Sequence, residues 1–238
     1  MQAWIKEIAP NLYTYRAKFF TACSATVEMF WKAGLIAFVI GLLFGILLVI
    51  TRKGGIRQNP LVYQATNLVI NVFRSIPFII LLIFLIPLTR SLVGTAIGVK
   101  GAILPLVFGT VPFYSRQVEV ALSGVEEGKI EAARSMGSGT FGLIFRVYLH
   151  EALPDLIRVT TVTAISLIGL TTMAGAVGAG GIGSFAINYG QNLHHQDIVN
   201  VCVVVLLVFV SILQTLGNTL SRRTTNKALF HRNVKTDI

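Results

Sequence analysis

Residues 126–154 read EEGKIEAARSMGSGTFGLIFRVYLHEALP and interrupt a chain that is otherwise strongly apolar. Hydrophobic residues make up 54% of the 238 positions and charged residues only 13%, which lies outside the usual range of a soluble globular domain. This composition predicts an integral membrane protein of the all-α class. In such a protein, the polar stretch is expected to be the part of the chain that meets a soluble partner.

Five apolar segments are long enough to cross a membrane as helices, which takes about 20 residues. They cover residues 33–50, 66–88, 101–118, 152–177 and 198–220. Pro77 is expected to bend the second span, and the third span contains Pro105, Gly109 and Pro112. Proline and glycine are tolerated in membrane helices where neighbouring groups or water in a cavity form hydrogen bonds with the backbone groups left unpaired. These helices are therefore expected to line a path.

Two segments flank this membrane domain of residues 33–220. In residues 1–32 apolar side chains such as Trp4 and Ile8 recur every three or four positions between charged ones, which predicts an amphipathic helix. That helix is expected either on the membrane surface before the first crossing or packed on the helix bundle. Residues 221–238 form a polar, basic tail.

The basic residues predict the orientation of the chain. Twelve Lys and Arg residues lie in the loop after the first span, in the central stretch and in the tail, against six on the other side. Because cytoplasmic loops are enriched in basic residues, the central stretch and the C-terminus are expected inside and the N-terminus outside. The net charge of +10 is then explained by the membrane topology, and no nucleic-acid partner is expected.

Two helices are predicted within residues 126–154. The first ends at Gly137 and Gly139, and the side chain of Ser138 or Thr140 is expected to cap the second. A surface of small residues on the first helix would let the backbone of another protein approach closely; it consists of Ala132, Ala133, Met136 and Gly137. The alternative is a solvated loop in which the alanines are simply good helix formers.

One face of the fourth span is small and partly polar. At spacings of three or four residues, it presents Thr163, Ser166, Gly169, Met173, Ala176 and Gly180. If two copies meet about a central axis, this face would line a narrow path, and paired Met173 side chains would plug it because methionine is flexible. The alternative is helix packing, in which small residues only allow close approach.

Other features of the sequence do not indicate a catalytic or metal site. Asp155 and Arg158 are three positions apart and are expected to form a pair. His194 and His195 are adjacent and do not face one site on a helix, so metal binding is not expected there. The sequence has no nucleophile and base set and no phosphate-binding Gly-x-x-x-x-Gly-Lys loop, so it predicts neither an enzyme nor an ATP-binding chain.

Three segments resemble a known family. Glu131-Ala132-Ala133, followed by Gly137 and then by Leu153-Pro154, resembles the EAA loop of ATP-binding-cassette importer permeases. Residues 71–78 and 173–183, together with the five spans, resemble methionine importer permeases within that family. The resemblance covers most of the chain from the first span to the fifth.

The resemblance implies a fold, partners and roles for residues. It makes residues 33–220 a permease domain, with a cytoplasmic coupling helix between the third and fourth spans that docks on an ATPase. The coupling residues would be Glu131, Ala132, Ala133, Gly137, Leu153 and Pro154. It also implies a methionine at the position of Met173 and a homodimer in the lipid of the cell membrane. Two ATPase subunits would bind ATP and Mg, no cofactor would bind to this chain, and an extracytoplasmic methionine-binding lipoprotein would deliver D- or L-methionine.

Three other functions stay open. The nearest is a permease of the same superfamily for another amino acid or an osmoprotectant. A stand-alone channel or an ion-coupled carrier is disfavoured because the predicted spans lack the acidic residues expected for proton or sodium coupling. An intramembrane enzyme is disfavoured because no catalytic set is visible.

Overall fold

The computed structural model describes residues 9–233, and the regular elements throughout this range are helices, as the sequence predicts. The predicted apolar positions Trp4 and Ile8 and the end of the basic tail lie outside the described residues. The α-helices are α1 (Pro10–Thr14), α2 (Arg16–Thr51), α3 (Pro60–Ser75), α4 (Phe78–Phe84), α5 (Ile86–Val93), α6 (Gly98–Ser123), α7 (Glu127–Ser135), α8 (Thr140–Gly142), α9 (Leu149–Glu151), α10 (Leu153–Ala174), α11 (Gly181–Phe185) and α12 (Gln196–Asn233). Single π-helical segments follow α8, α10 and α11.

Three of these helical segments are long and apolar enough to cross a membrane: Arg16–Thr51, Leu153–Ala179 and Gln196–Thr225. The helix pair α3 and α4 is a fourth candidate, broken at Ile76 and Pro77. Pro77 is in the extended region at φ −55° and ψ 135°, so the predicted bend at this proline is confirmed. The helix that holds the third predicted span, α6, is not among these candidates.

The first span begins earlier than predicted. Residues 16–32, expected to belong to a separate amphipathic segment, are the N-terminal part of the continuous helix α2. No glycine or proline interrupts the chain between Arg16 and Ala33, so nothing in the backbone ends a helix there. Of the predicted surface segment, the described residues before α2 form only the short helix α1.

The contacts of the chain divide it into two compact units. The first unit holds the described residues through Ala37, with Ser75–Thr110 and Ala164–Ile212. The second unit holds Phe38–Arg74, Val111–Thr163 and the described residues from Leu213 onwards. The chain therefore changes unit five times, and each change falls inside one of the five predicted spans.

The first unit has a small apolar core in which Ile182, Phe185 and Ile198 are buried. A polar contact holds α1 to the start of α12 in this unit. The carboxylate of Asp197 accepts hydrogen bonds from the backbone N–H and from the side-chain amide of Asn11, both at 3.0 Å. The first described helix is thereby attached to the first turn of the last one.

The second unit is built on close contact between α2 and α6. A Cβ atom at Gly41 would lie 2.7 Å from the ring of Tyr114, and one at Gly45 would lie 2.5 Å from Val118 Cβ. Such small residues four apart let helices in a membrane approach closely. The core of this unit extends from Val118 to the segments that follow α6, where Leu143 is also buried.

Candidate coupling surface and membrane path

The predicted coupling helix is present as α7 and ends where glycine permits it. Met136 N–H donates to Ala132 O at 3.1 Å and Gly137 N–H donates to Arg134 O at 2.9 Å. Gly137 has φ +81°, the left-handed conformation that commonly ends helices and that strains any residue with a Cβ atom. The predicted break at Gly137 is therefore confirmed.

The two faces of α7 differ in exposure. Ile130 and Ala133 are buried in the core of the second unit, with Ala133 only 7% exposed. The exposed positions of α7 and its C-terminal turn include Glu131, Ala132, Met136 and Gly137. Ala133 thus differs from the expectation that it belongs to the docking surface, because its methyl group packs against the chain's own core.

Polar contacts fix α7 on the neighbouring segments of its unit. Arg134 donates to the carbonyl oxygen of Ile56 at 3.3 Å. Lys129 pairs with Glu151 at 2.5 Å and lies 3.9 Å from Glu126. These contacts join α7 to the loop after α2 and to α9.

The segment after α7 begins differently from the prediction. The residue before α8 is Gly139, and neither Ser138 nor Thr140 supplies a side-chain cap, so the expected cap is wrong. Large apolar side chains are exposed here, Met136 at 79% and Phe141 at 78%. Met136 was predicted as part of the docking surface, whereas Phe141 was not. Two exposed apolar side chains next to α7 fit a protein partner.

The apolar interior of this unit also contains Tyr148. Burial raises the pKa of its phenol, while Arg52 and Arg134 act in the opposite direction. Tyr148 therefore stays protonated and uncharged at neutral pH. It contributes an aromatic ring to the core beneath α7 rather than a charge.

Leu153 and Pro154 open α10, as predicted, after Ala152 ends α9. The carbonyl oxygen of Pro154 accepts a hydrogen bond from Ser221 Oγ at 3.1 Å. Arg158 donates to Asp155 at 3.2 Å, so the predicted pair is confirmed, and to Ser221 Oγ at 3.1 Å. These bonds join the start of α10 to α12 within the second unit.

The small face of α10 is largely exposed in the single chain. Ser166, Gly169, Met173 and Ala176 are exposed, Met173 by 40%. Thr163 does not share this exposure, because it is fully buried and its hydroxyl donates to Val159 O at 2.8 Å. The candidate path face therefore begins at Ser166.

The glycines that follow α10 make a tight return of the chain. A Cβ atom at Gly183 would lie 2.2 Å from Thr172 O, and one at Gly175 would lie 2.6 Å from the backbone nitrogen of Ser184. Ile182 N–H donates to Thr26 Oγ1 at 2.8 Å, which attaches α11 to α2. Gly175 and Gly183 are therefore sites of close packing. Nothing lies within 4 Å of a Cβ atom built at Gly169 or Gly180, the two glycines of the candidate path face.

A polar cluster between α3 and α6 was missed by the sequence analysis. Arg116 pairs with Glu119 one turn away, and its second Nη atom donates to the side-chain oxygens of Asn67 and Asn71, the latter at 3.0 Å. Tyr63 Oη lies 3.5 Å from Glu119. Two features of the sequence could have indicated it. Asn67 and Asn71 are four positions apart, and the opposite charges of Arg116 and Glu119 are three positions apart at the end of a predicted span.

Comparison with known proteins identifies a family for the chain. Residues 37–226 match the family described as the binding-protein-dependent transport system inner membrane component. The probable D-methionine transport system permease protein MetI of Vibrio cholerae is 41% identical over 203 residues, 85% of this chain and 90% of that protein. The methionine import system permease protein MetP of Bacillus subtilis is 47% identical over 172 residues, 72% of this chain and 78% of that protein.

Solved structures agree with this result. A structure of the MetNI methionine ABC transporter in inward facing conformations matches with a TM-score of 0.86 and 41% identity, covering 89% of this chain and 98% of that chain. An amino acid ABC transporter crystallised with histidines has a TM-score of 0.73 at 16% identity, which shows the shared fold alone. The chain belongs to the family of inner membrane components of binding-protein-dependent transport systems, and within that family it is similar to methionine transport permeases.

Proposed function

We propose that this chain is the permease subunit of an ATP-driven importer for methionine, in the D form, the L form or both. The observation that carries the proposal is the similarity to the MetNI methionine ABC transporter chain, at 41% identity over 89% of this chain with a TM-score of 0.86. Relatives named for methionine transport in Vibrio cholerae and Bacillus subtilis support the same substrate. The chain forms the path for methionine and leaves ATP hydrolysis to a partner.

The proposed partners are two ATPase subunits, a second copy of the chain and a binding protein. Two ATPase subunits bind ATP and Mg on the cytoplasmic side, and each receives α7 with the exposed side chains Ala132 and Met136. Phe141 adds apolar area beside this helix. A second copy of the chain completes the path, and an extracytoplasmic binding lipoprotein delivers methionine.

The proposed topology has five spans in the cell membrane, with the N-terminus outside and the C-terminus inside. Its support is the coincidence of the five changes of unit with the five predicted spans. The excess of basic residues in the loops expected inside gives the direction. An odd number of crossings places α1 and the end of α12 on opposite sides of the membrane.

Transport is proposed to proceed by alternating access. ATP binding brings the ATPase subunits together, and α7 transmits the motion through Leu153 and Pro154 into α10, which carries Met173. In the resting dimer, the exposed Met173 side chains of both copies close the path. The dimer has two packed arrangements, one open to each side of the membrane. Binding of the partner subunits shifts the equilibrium between them, as in other switching proteins.

A growth assay tests the substrate. A bacterium that requires methionine and lacks its own importer is supplied with this chain, an ATPase subunit and a binding protein, and is grown on low D- or L-methionine. The proposal predicts growth on methionine. An excess of an osmoprotectant or of another amino acid should not inhibit this growth. Growth that survives inactivation of the ATPase would instead identify a channel or an ion-coupled carrier.

A further inference from the structure

The polar cluster of Tyr63, Asn67, Asn71, Arg116 and Glu119 contains two charged side chains that are largely buried. Glu119 and Arg116 belong to α6, with side chains only 11% and 23% exposed. Charged side chains in membrane segments are rare and commonly mark substrate pathways. A buried ion pair is also a weak source of stability, because apolar residues of similar size would serve as well. Stability alone therefore does not account for the pair.

The cluster has a hydrogen-bond acceptor and hydrogen-bond donors that its internal contacts do not fully use. Glu119 Oε2 accepts from Arg116, whereas the contact described for Oε1 is the Tyr63 hydroxyl at 3.5 Å, longer than an ordinary O–H···O bond of about 2.5–3.0 Å. The contacts described for Arg116 use three of the roughly five guanidinium N–H groups. A nearly unused carboxylate oxygen thus lies beside a guanidinium with donors to spare.

We propose that this cluster binds the α-ammonium and α-carboxylate groups of a zwitterionic amino acid. The ligand carboxylate accepts from Arg116, and its ammonium donates to Glu119 Oε1. Both ligand charges are then paired by charge-assisted hydrogen bonds, which are the stronger kind. The inference rests on the proposed function and names the residues that would meet methionine on its way.

This arrangement also predicts what the cluster selects. It recognises the two groups that all free α-amino acids share, so the side chain of methionine is selected elsewhere. In the proposed orientation α6 ends on the cytoplasmic side, and Glu119 is close to that end. The cluster is therefore a binding point on the release side of the path.

The test uses the complete transporter, with its ATPase and binding protein, in proteoliposomes. The double variant Arg116→Gln with Glu119→Gln removes both charges, so that no charge is left unpaired. We expect ATP-driven methionine uptake to fall about ten-fold or more while ATP hydrolysis stimulated by the loaded binding protein stays within about two-fold of wild type. The conservative variant Arg116→Lys keeps the charge and should restore part of the uptake.

The matched control is the double variant Glu28→Gln with Lys32→Gln, which neutralises an exposed ion pair one helical turn apart in α2 and should leave uptake unchanged. Wild-type uptake in the Arg116 and Glu119 double variant would overturn the inference. So would a parallel fall of uptake, stimulated ATP hydrolysis and thermal stability, because that pattern marks a structural pair. If the wild-type transporter fails to carry methionine, the proposed function is overturned first.

Discussion

Ala132 and Ala133 are neighbours in the sequence and have opposite environments in the structure. Both belong to the Glu-Ala-Ala triplet that resembles the EAA loop, and the sequence of the triplet does not indicate which alanine is buried. Ala132 is exposed, whereas Ala133 is buried against the core of the second unit. Ala132 is therefore available to a partner, whereas Ala133 packs against the chain itself.

The first prediction uses this contrast. Ala132→Leu adds volume on the exposed face and should change the stability of the chain by less than about 0.5 kcal/mol. Ala133→Leu overpacks the core and should destabilise it by about 1–3 kcal/mol. Thermal unfolding of the purified subunit measures both, and pull-down of the ATPase measures docking. The interpretation requires Ala132→Leu to lose the ATPase while unfolding normally, and equal stability losses in both variants would contradict it.

The second prediction concerns Met173. Replacing it by Ala removes the flexible side chain that is proposed to close the resting path, so methionine should leak through the transporter without ATP. Leak is measured as efflux from methionine-loaded proteoliposomes. The control is Val208→Ala, which truncates a similarly exposed side chain of α12 and should cause no leak of methionine. Unchanged leak, coupling and uptake in Met173→Ala would remove Met173 from the gate.

At the scale of helices, the boundaries set by the backbone were predictable from sequence. Pro77 breaks the second span, Gly137 ends α7, and Leu153 and Pro154 open α10, because proline and glycine restrict or release backbone angles regardless of what surrounds them. The start of α2 was placed too late because amphipathic spacing in residues 16–32 does not by itself end a helix.

Features that depend on distant contacts were not predictable in the same way. The burial of Ala133 depends on Leu143 and Tyr148 lying in the same core, which spacing along α7 does not reveal. The polar cluster joins Arg116 to Asn67, far apart in the chain. Small residues at helical spacing fit both a path and a packing face, and only the structure separates Gly183 from Gly169.

That separation gives the third prediction, at the element scale. Gly183→Ala would put a Cβ atom 2.2 Å from Thr172 O and should destabilise the turn between α10 and α11 by about 1–3 kcal/mol. Gly169→Ala meets no atom within 4 Å and should stabilise α10 by about 0.5–1 kcal/mol, since alanine favours helix over glycine. Thermal unfolding in detergent compares the two variants. A Gly183→Ala chain as stable as wild type would contradict the packing described here.

At the scale of the molecule, the proposed five-span topology puts the ends of the chain on opposite sides of the membrane. The fourth prediction tests this topology with single cysteines in a chain whose Cys23 and Cys202 are replaced by alanine. Asn192→Cys, in the loop before α12, should react with a membrane-impermeant maleimide on intact spheroplasts. Arg146→Cys, in the coupling loop, should react only after permeabilisation. Labelling of both on intact cells would refute the five-span topology.

The central claim is that this chain moves methionine only when a partner hydrolyses ATP. The most direct measurement is the uptake of radiolabelled methionine by proteoliposomes that contain the chain, its ATPase and its binding protein, with ATP supplied on the ATPase side. The account predicts that methionine accumulates with ATP and does not accumulate when the ATPase is catalytically inactive. Accumulation that persists without ATP hydrolysis, or no methionine uptake by the intact complex, would contradict it.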